Sequence, residues 1–163
     1  MKNTFTKYLP QFVYGSIDGT VTTFAIVSGV SGAALSPVII LILGIANVLA
    51  DGFSMASSNY LSERSKENES VNQAFKTSLA TFISFIFIGF IPLIPYILNL
   101  QQDRVFIFSC ILTGLTFLAI GFVKGKVIGG AKVRSALETF TVGSIAAIIS
   151  YLVGYYLKIF FGI

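Results

Sequence analysis

The chain has 163 residues, of which 55% are hydrophobic and 11% charged, with a mean hydropathy of +0.85 and a formal net charge of +4. Soluble domains carry about 25% charged residues, so the composition excludes an ordinary soluble domain. The unit to count is then the membrane span, about 20 mostly apolar residues long. The eleven Lys and Arg residues fall between apolar runs rather than in one patch, which reads as membrane flanks and argues against nucleic acid as a partner. One cysteine, Cys110, and no histidine exclude an intrachain disulfide and a His/Cys zinc site. After Lys2 and Lys7 no compact apolar region ends in a small-residue cleavage pattern, so the first span is expected to stay in the mature protein.

Apolar runs predict an all-α integral membrane protein, a single domain over 1–163 with five transmembrane helices near 10–34, 37–61, 77–98, 104–123 and 137–161. The first is interrupted by Gly, Ser and Thr; Gly15 and Gly19 make one close-contact pair and Gly29 and Gly32 a second. The turn Ala33-Ala34-Leu35-Ser36 is short, with Ser36 placed to cap the next helix and Pro37 at its first position, so the first two spans are antiparallel neighbours. A polar link over 62–76 follows, in which Glu63 and Lys66 are spaced to pair at i,i+3. The third span ends in Ile91-Pro92-Leu93-Ile94-Pro95-Tyr96, where proline kinks or ends the helix. Glu138 is expected at the N-terminus of the last helix, where the macrodipole favours an acid.

Counted on alternate sides, Lys2, Lys7, Arg64, Lys66, Lys76, Lys124, Lys126, Lys132 and Arg134 share one side, against Arg104 and Lys158. The positive-inside rule then puts the N-terminus in the cytoplasm and the C-terminus outside. Five spans do not divide into inverted halves, so transport symmetry would come from a homodimer.

Two carboxylates stand out because an ionisable residue within a span is costly and marks a functional site by default. Asp18 lies about 16 residues before the outer turn and Asp51 about 14 after Pro37, which puts both roughly 21–24 Å from the outer end. Asn47, Asp51, Met55, Asn59, Glu63 and Glu67 recur every fourth residue along one helix face, and Asp18 and Thr22 form a shorter row opposite. Carboxylate, amide and hydroxyl oxygens with one thioether suit Fe²⁺ or Mn²⁺ in passage. Low dielectric favours the protonated form of a carboxylic acid, which suits exchange of protons for a cation. The expected metal-contacting set is Asp18, Asp51, Met55, Asn47, Thr22, Glu63 and Glu67, with no permanently bound cofactor. Each has a structural alternative: Asp18 as a helix cap, Asp51 bonded within the bundle, Met55 as packing, Asn47 as glue between helices, Glu63 and Glu67 as a solvated face.

Two stretches, Asp18-Gly19-Thr20-Val21-Thr22-Thr23-Phe24 and Gly44-Ile45-Ala46-Asn47-Val48-Leu49-Ala50-Asp51-Gly52-Phe53-Ser54-Met55-Ala56, resemble the vacuolar iron transporter (VIT) family. Ile91 to Tyr96, Lys124-Gly125, and the run from Leu137-Glu138 through Gly143 to Gly154 support the resemblance. It implies a five-helix homodimer that exchanges divalent metal, Fe²⁺ above all, for protons, and it implicates Asp18 and Met55. Some members carry Glu at the position of Asn47; Asp51, one turn on, would supply that charge. Better-known members hold a Glu- and Met-rich cytoplasmic helical domain between the second and third spans. Here there is only Ser62–Gln73, with Glu63, Glu67 and Glu69 as a reduced remnant.

The leading expectation is therefore a proton-coupled metal transporter moving Fe²⁺ or Mn²⁺ out of the cytoplasm, in a prokaryotic inner membrane. The alternative is a non-transporting membrane module whose basic links hold a partner or anionic lipid. No histidine and no nucleophile–base pair point to an enzyme.

Overall fold

The structure is a computed structural model that describes residues 4–66, 70–101, 103–128 and 130–162. Among these it contains five long helices: α1 (Thr4–Gly32), α2 (Pro37–Arg64), α3 (Val71–Gly89), α5 (Val105–Ile128) and α6 (Lys132–Phe161). After α3 a single 3₁₀ turn, Ile91–Leu93, leads into the short α4 (Ile94–Ile97). By length and composition four stretches of the described chain can cross a membrane: Pro37–Arg64, Val71–Ile97, Val105–Val127 and Lys132–Phe161. The interrupted α1 is not among them, though its 29 residues extend about 44 Å.

α1 is the centre of the bundle and packs on α3, α6, α2 and α5. Lipid offers no hydrophobic drive for helices to associate, so close backbone packing has to supply it. The glycine pairs do this on two sides. A Cβ on Gly19 would stand 2.6 Å from the Phe85 carbonyl oxygen of α3, and one on Gly15 would be 2.6 Å from that of Thr81. Towards the other end, Gly32 lies against the backbone of Tyr151, and Gly154 of α6 against that of Gly29. Hydroxyls along these interfaces turn back to their own helices: Thr20 Oγ1 donates to the Ser16 carbonyl at 2.7 Å and Thr77 Oγ1 to that of Gln73 at 2.8 Å.

Several expectations hold in detail. Ser36 caps α2, its Oγ accepting from the Val38 N–H at 3.3 Å with Pro37 at the helix start, and Glu63 holds Lys66 at 2.6 Å. The Pro-rich stretch ends α3 at Gly89, and Ser109 Oγ on α5 donates to the Pro92 carbonyl at 2.7 Å, fixing the break to the bundle.

Other boundaries move. α1 runs through Pro10 rather than starting there. α3 begins at Val71, not 77, because Ser70 caps it by accepting from the Gln73 N–H at 3.2 Å; hydropathy does not register its polar first turns. With α2 running to Arg64, most of the link expected over 62–76 is helix. α6 starts at Lys132, so Glu138 is inside the helix rather than at its N-terminus. It pairs there with Arg134 at 3.1 Å, both side chains exposed, a contact worth a few tenths of a kcal/mol at about that scale.

The glycine contacts generate a prediction. Gly19→Ala should cost about 1–3 kcal/mol through overpacking against backbone that cannot move aside, lowering the thermal midpoint in detergent. Gly130→Ala, where nothing stands within 4 Å of the added carbon, should leave it unchanged.

Candidate functional site

The site is set by the α1–α2 hairpin. Its turn is tight: Ala33 N–H reaches the Gly29 carbonyl at 3.0 Å, Leu35 N–H that of Val30 at 3.1 Å, and Ala34 takes φ of 55°. With the helices joined so closely, residues equally far from Gly32 and Pro37 share a height. Asp18 is fourteen residues before Gly32 and Asp51 fourteen after Pro37, each about 21 Å from the turn. Thr22 and Asn47 are ten residues away on either side, about 15 Å from it.

The tight turn places the two carboxylates at one height on adjacent helices. Asp18 is half-buried in mid-helix, far from either end of α1, so it caps nothing. Asp51 is exposed on α2. Among the described residues no hydrogen bond or ion pair engages either carboxylate. Thr22 Oγ1 donates to the Asp18 backbone carbonyl at 2.8 Å, which leaves its lone pairs unused. Asn47 is half-buried, with Nδ2 buried and unpartnered. Met55 is half-buried one turn beyond Asp51. Glu63 is mostly covered and already paired with Lys66, so it does not join the carboxylate pair. Glu67, expected to extend the row, lies outside the described residues.

On α2 three rows run side by side. Ile40, Gly44, Val48 and Gly52 are buried against the bundle. Next comes the row Asn47, Asp51, Met55, Asn59 and Glu63, and then Ala46, Ala50, Ser54 and Ser58, all exposed. The polar row thus runs along the seam between the packed face and an open face of small residues. Among the described residues no three of His, Cys, Asp and Glu stand close enough together to hold an ion.

Two residues outside the expected set carry buried polar atoms on the same two helices. The carbonyl oxygens of Gln11 and Asn59 are buried without a partner. Asn59 was visible as a member of the every-fourth-residue row. Gln11 precedes Asp18 by seven residues, which returns it to nearly the same face of α1; that spacing was the available signal.

Long apolar helices holding unpaired carboxylates define an integral membrane protein. The sequence model of the VIT family matches residues 9–73 and 65–155, and the chain belongs to that family. It is 26% identical to the vacuolar iron transporter of Toxoplasma gondii, with 98% of this chain and 78% of the relative covered. It is 27% identical to that of Plasmodium berghei (93% and 82% covered) and 23% identical to vacuolar iron transporter 1 of Arabidopsis thaliana (84% and 81%). The two parts of the family match meet over 65–73, at the link between α2 and α3. The Toxoplasma gondii alignment runs over 234 positions against a chain of 163 residues, so at least 71 residues of that relative have no counterpart here.

Carboxylates kept for structure lose stability when removed; unpaired ones in a membrane do not. Asp18→Leu and Asp51→Leu should each leave the metal-free thermal midpoint in lipid nanodiscs unchanged or raise it, by about 1 kcal/mol or more in stability. A clear fall for either variant would mark that acid as structural.

Proposed function

We propose that this protein is a homodimeric transporter of divalent transition metal, Fe²⁺ foremost and Mn²⁺ second, moving the ion out of the cytoplasm in exchange for protons. The observation that carries the reading is the pair Asp18 and Asp51: level on adjacent helices, beside an exposed helix face, with no hydrogen bond or ion pair on either carboxylate among the described residues. All five long helices span the membrane as one domain, with the N-terminus cytoplasmic and the C-terminus outside as the basic residues suggest. The membrane is a prokaryotic inner membrane, which fractionation tests.

The dimer follows from two features. Asp51 on a lipid-facing surface would be costly, and one chain offers only two acids at the site, too few for a closed acidic shell. A two-fold axis along the small-residue row Ala46, Ala50, Ser54 and Ser58 would let two α2 helices approach closely and would bring four carboxylates together. The ion then exchanges hydration water for carboxylate oxygens, with the Asn47 and Thr22 oxygens beside them and the Met55 thioether favouring later transition metals over Mg²⁺ and Ca²⁺. Each carboxylic acid that releases its proton takes up one unit of the cation's charge, so two protons balance one divalent ion. The residues that relatives carry beyond this chain are assigned to the 65–73 link, next to Glu63 at the end of α2.

The absence of that insert is the one observation favouring a second reading, a membrane module that keeps the fold and binds a partner or lipid. Metal-dependent thermal shifts discriminate: a metal carrier is stabilised by Fe²⁺ or Mn²⁺ because binding to the folded state alone adds stability, and a module is not.

In proteoliposomes with a pH gradient, Asp18→Asn and Asp51→Asn should each cut Fe²⁺ flux by about a hundredfold, and Met55→Leu by about tenfold with Mg²⁺ rejection weakened. Undiminished flux in the double aspartate variant would overturn the assignment. Ala50→Trp should convert the dimer to monomer in cross-linking and abolish flux with it.

A further inference from the structure

The hairpin that joins α5 and α6 gathers cations. Lys124, Lys126, Lys132 and Arg134 follow one another closely, and Glu138, the next acid along the chain, is already held by Arg134. The two helices touch here: a Cβ on Gly125 would stand 2.8 Å from the Lys132 Cα, and the Gly130 N–H donates to the Gly125 carbonyl at 3.1 Å. From that level the Lys132 side chain turns back along α5. Its Nζ stands 5.9 Å from the centre of the Phe122 ring, and Phe122 precedes Gly125 on α5, so the ammonium leans towards the membrane. Lys126 follows Phe122 by one turn and shares its helix face. Both lysines are exposed on that side, and among the described residues neither is in an ion pair. Like charges so placed repel each other, and an anion between them would relieve the repulsion.

The same face of α5 continues as an apolar stripe. Ile107, Ile111, Leu115, Ala119, Phe122 and Lys126 recur every third or fourth residue and are all exposed. From Lys126 to Leu115 the helix rises about 16 Å, close to half of a hydrocarbon core about 30 Å thick. A headgroup at the lysines would thus have its acyl chain on apolar surface one leaflet deep. We propose that Lys126 and Lys132, beside the Phe122 ring, hold the phosphate of an anionic phospholipid whose acyl chain lies along this stripe. On the topology proposed above the lipid belongs to the cytoplasmic leaflet, whose negative surface attracts basic residues next to a span. The site stands apart from the carboxylates and does not depend on transport. Lysines act as point charges without the fork that lets Arg grip a phosphate, so the site selects charge rather than one headgroup. A monoanionic lipid such as phosphatidylglycerol satisfies it. A zwitterionic lipid brings its own cation against the lysines and does not.

The chain has no tryptophan, so Phe122→Trp places the only indole at the site and keeps an aromatic face for the ammonium. In phosphatidylcholine bilayers, brominated phosphatidylglycerol should quench this indole with an apparent affinity about tenfold above that of brominated phosphatidylcholine, and Lys126→Gln with Lys132→Gln should remove the difference. Because both lysines are exposed, the double variant should keep its thermal midpoint in phosphatidylcholine. Should the midpoint fall, either single glutamine variant replaces it, with an expected loss of about threefold in the preference. Tyr156→Trp, exposed near the other end of α6, should report no preference. Equal quenching by the two lipids at Phe122→Trp, or a preference that survives the glutamine substitutions, overturns the proposal. So does a preference abolished by excess inorganic phosphate, because the lysines would then take a free anion rather than a lipid.

Discussion

Everything in this bundle depends on how closely α1 can approach its neighbours. It is the long helix that hydropathy supports least, yet it holds the central position. In lipid a helix of this composition is retained by packing rather than by exclusion from water. The glycines on its two sides, Gly15 and Gly19 against α3 and Gly29 and Gly32 against α6, bring backbone onto backbone. That contact encloses Ser16, Thr20 and Thr23, and Thr20 bonds within its own helix. α2 is held more lightly, by the hairpin turn and by α3, with its outer face open. A rigid α1 beside a half-covered α2 makes the seam at which Asp18 and Asp51 stand level.

Much of this could be read from the residues. The hairpin, the Ser36 cap, the break at Pro92, the Glu63–Lys66 pair and the glycine contacts all rest on local chemistry that spacing reveals. The common height of the two aspartates was also legible, because a short turn between antiparallel helices converts residue count directly into depth. Helix ends were less so. Val71 to Lys76 and Lys132 to Leu137 are helical although polar, since a helix continues past the membrane surface wherever a cap or an ion pair supports it, and hydropathy senses only the apolar part. Glu138 was misplaced for that reason. Gln11 was missed because an amide draws no attention in a sequence; only the burial of its oxygen without a partner does so.

The distribution of polarity along the bundle bears on transport. Outward of the aspartates, Phe24, Val27 and Val30 of α1 pack with Ile40 and Val48 of α2, Leu93 and Tyr96 of the segment after α3, and Val105 and Phe117 of α5 in one apolar cluster. Inward of them the buried residues of α1 and α3 include the hydroxylated Ser16, Thr77, Ser78, Thr81 and Ser84 beside Leu9 and Ala74. On the transport reading, an ion arriving from the cytoplasm would meet hydroxyls and a thioether before the carboxylates. Beyond the carboxylates it would meet close-packed hydrocarbon, which offers no ligand to a divalent charge. On the transport reading this conformation is therefore closed on its outer side, and onward passage requires the apolar cluster to part. The helix most able to move is α2. Of the two helices that flank the seam it is the one without backbone-to-backbone glycine contacts: Gly44 and Gly52 rest on the side chains of Leu93, Phe85 and Ile86, which can change rotamer, whereas the carbonyls that hold α1 cannot.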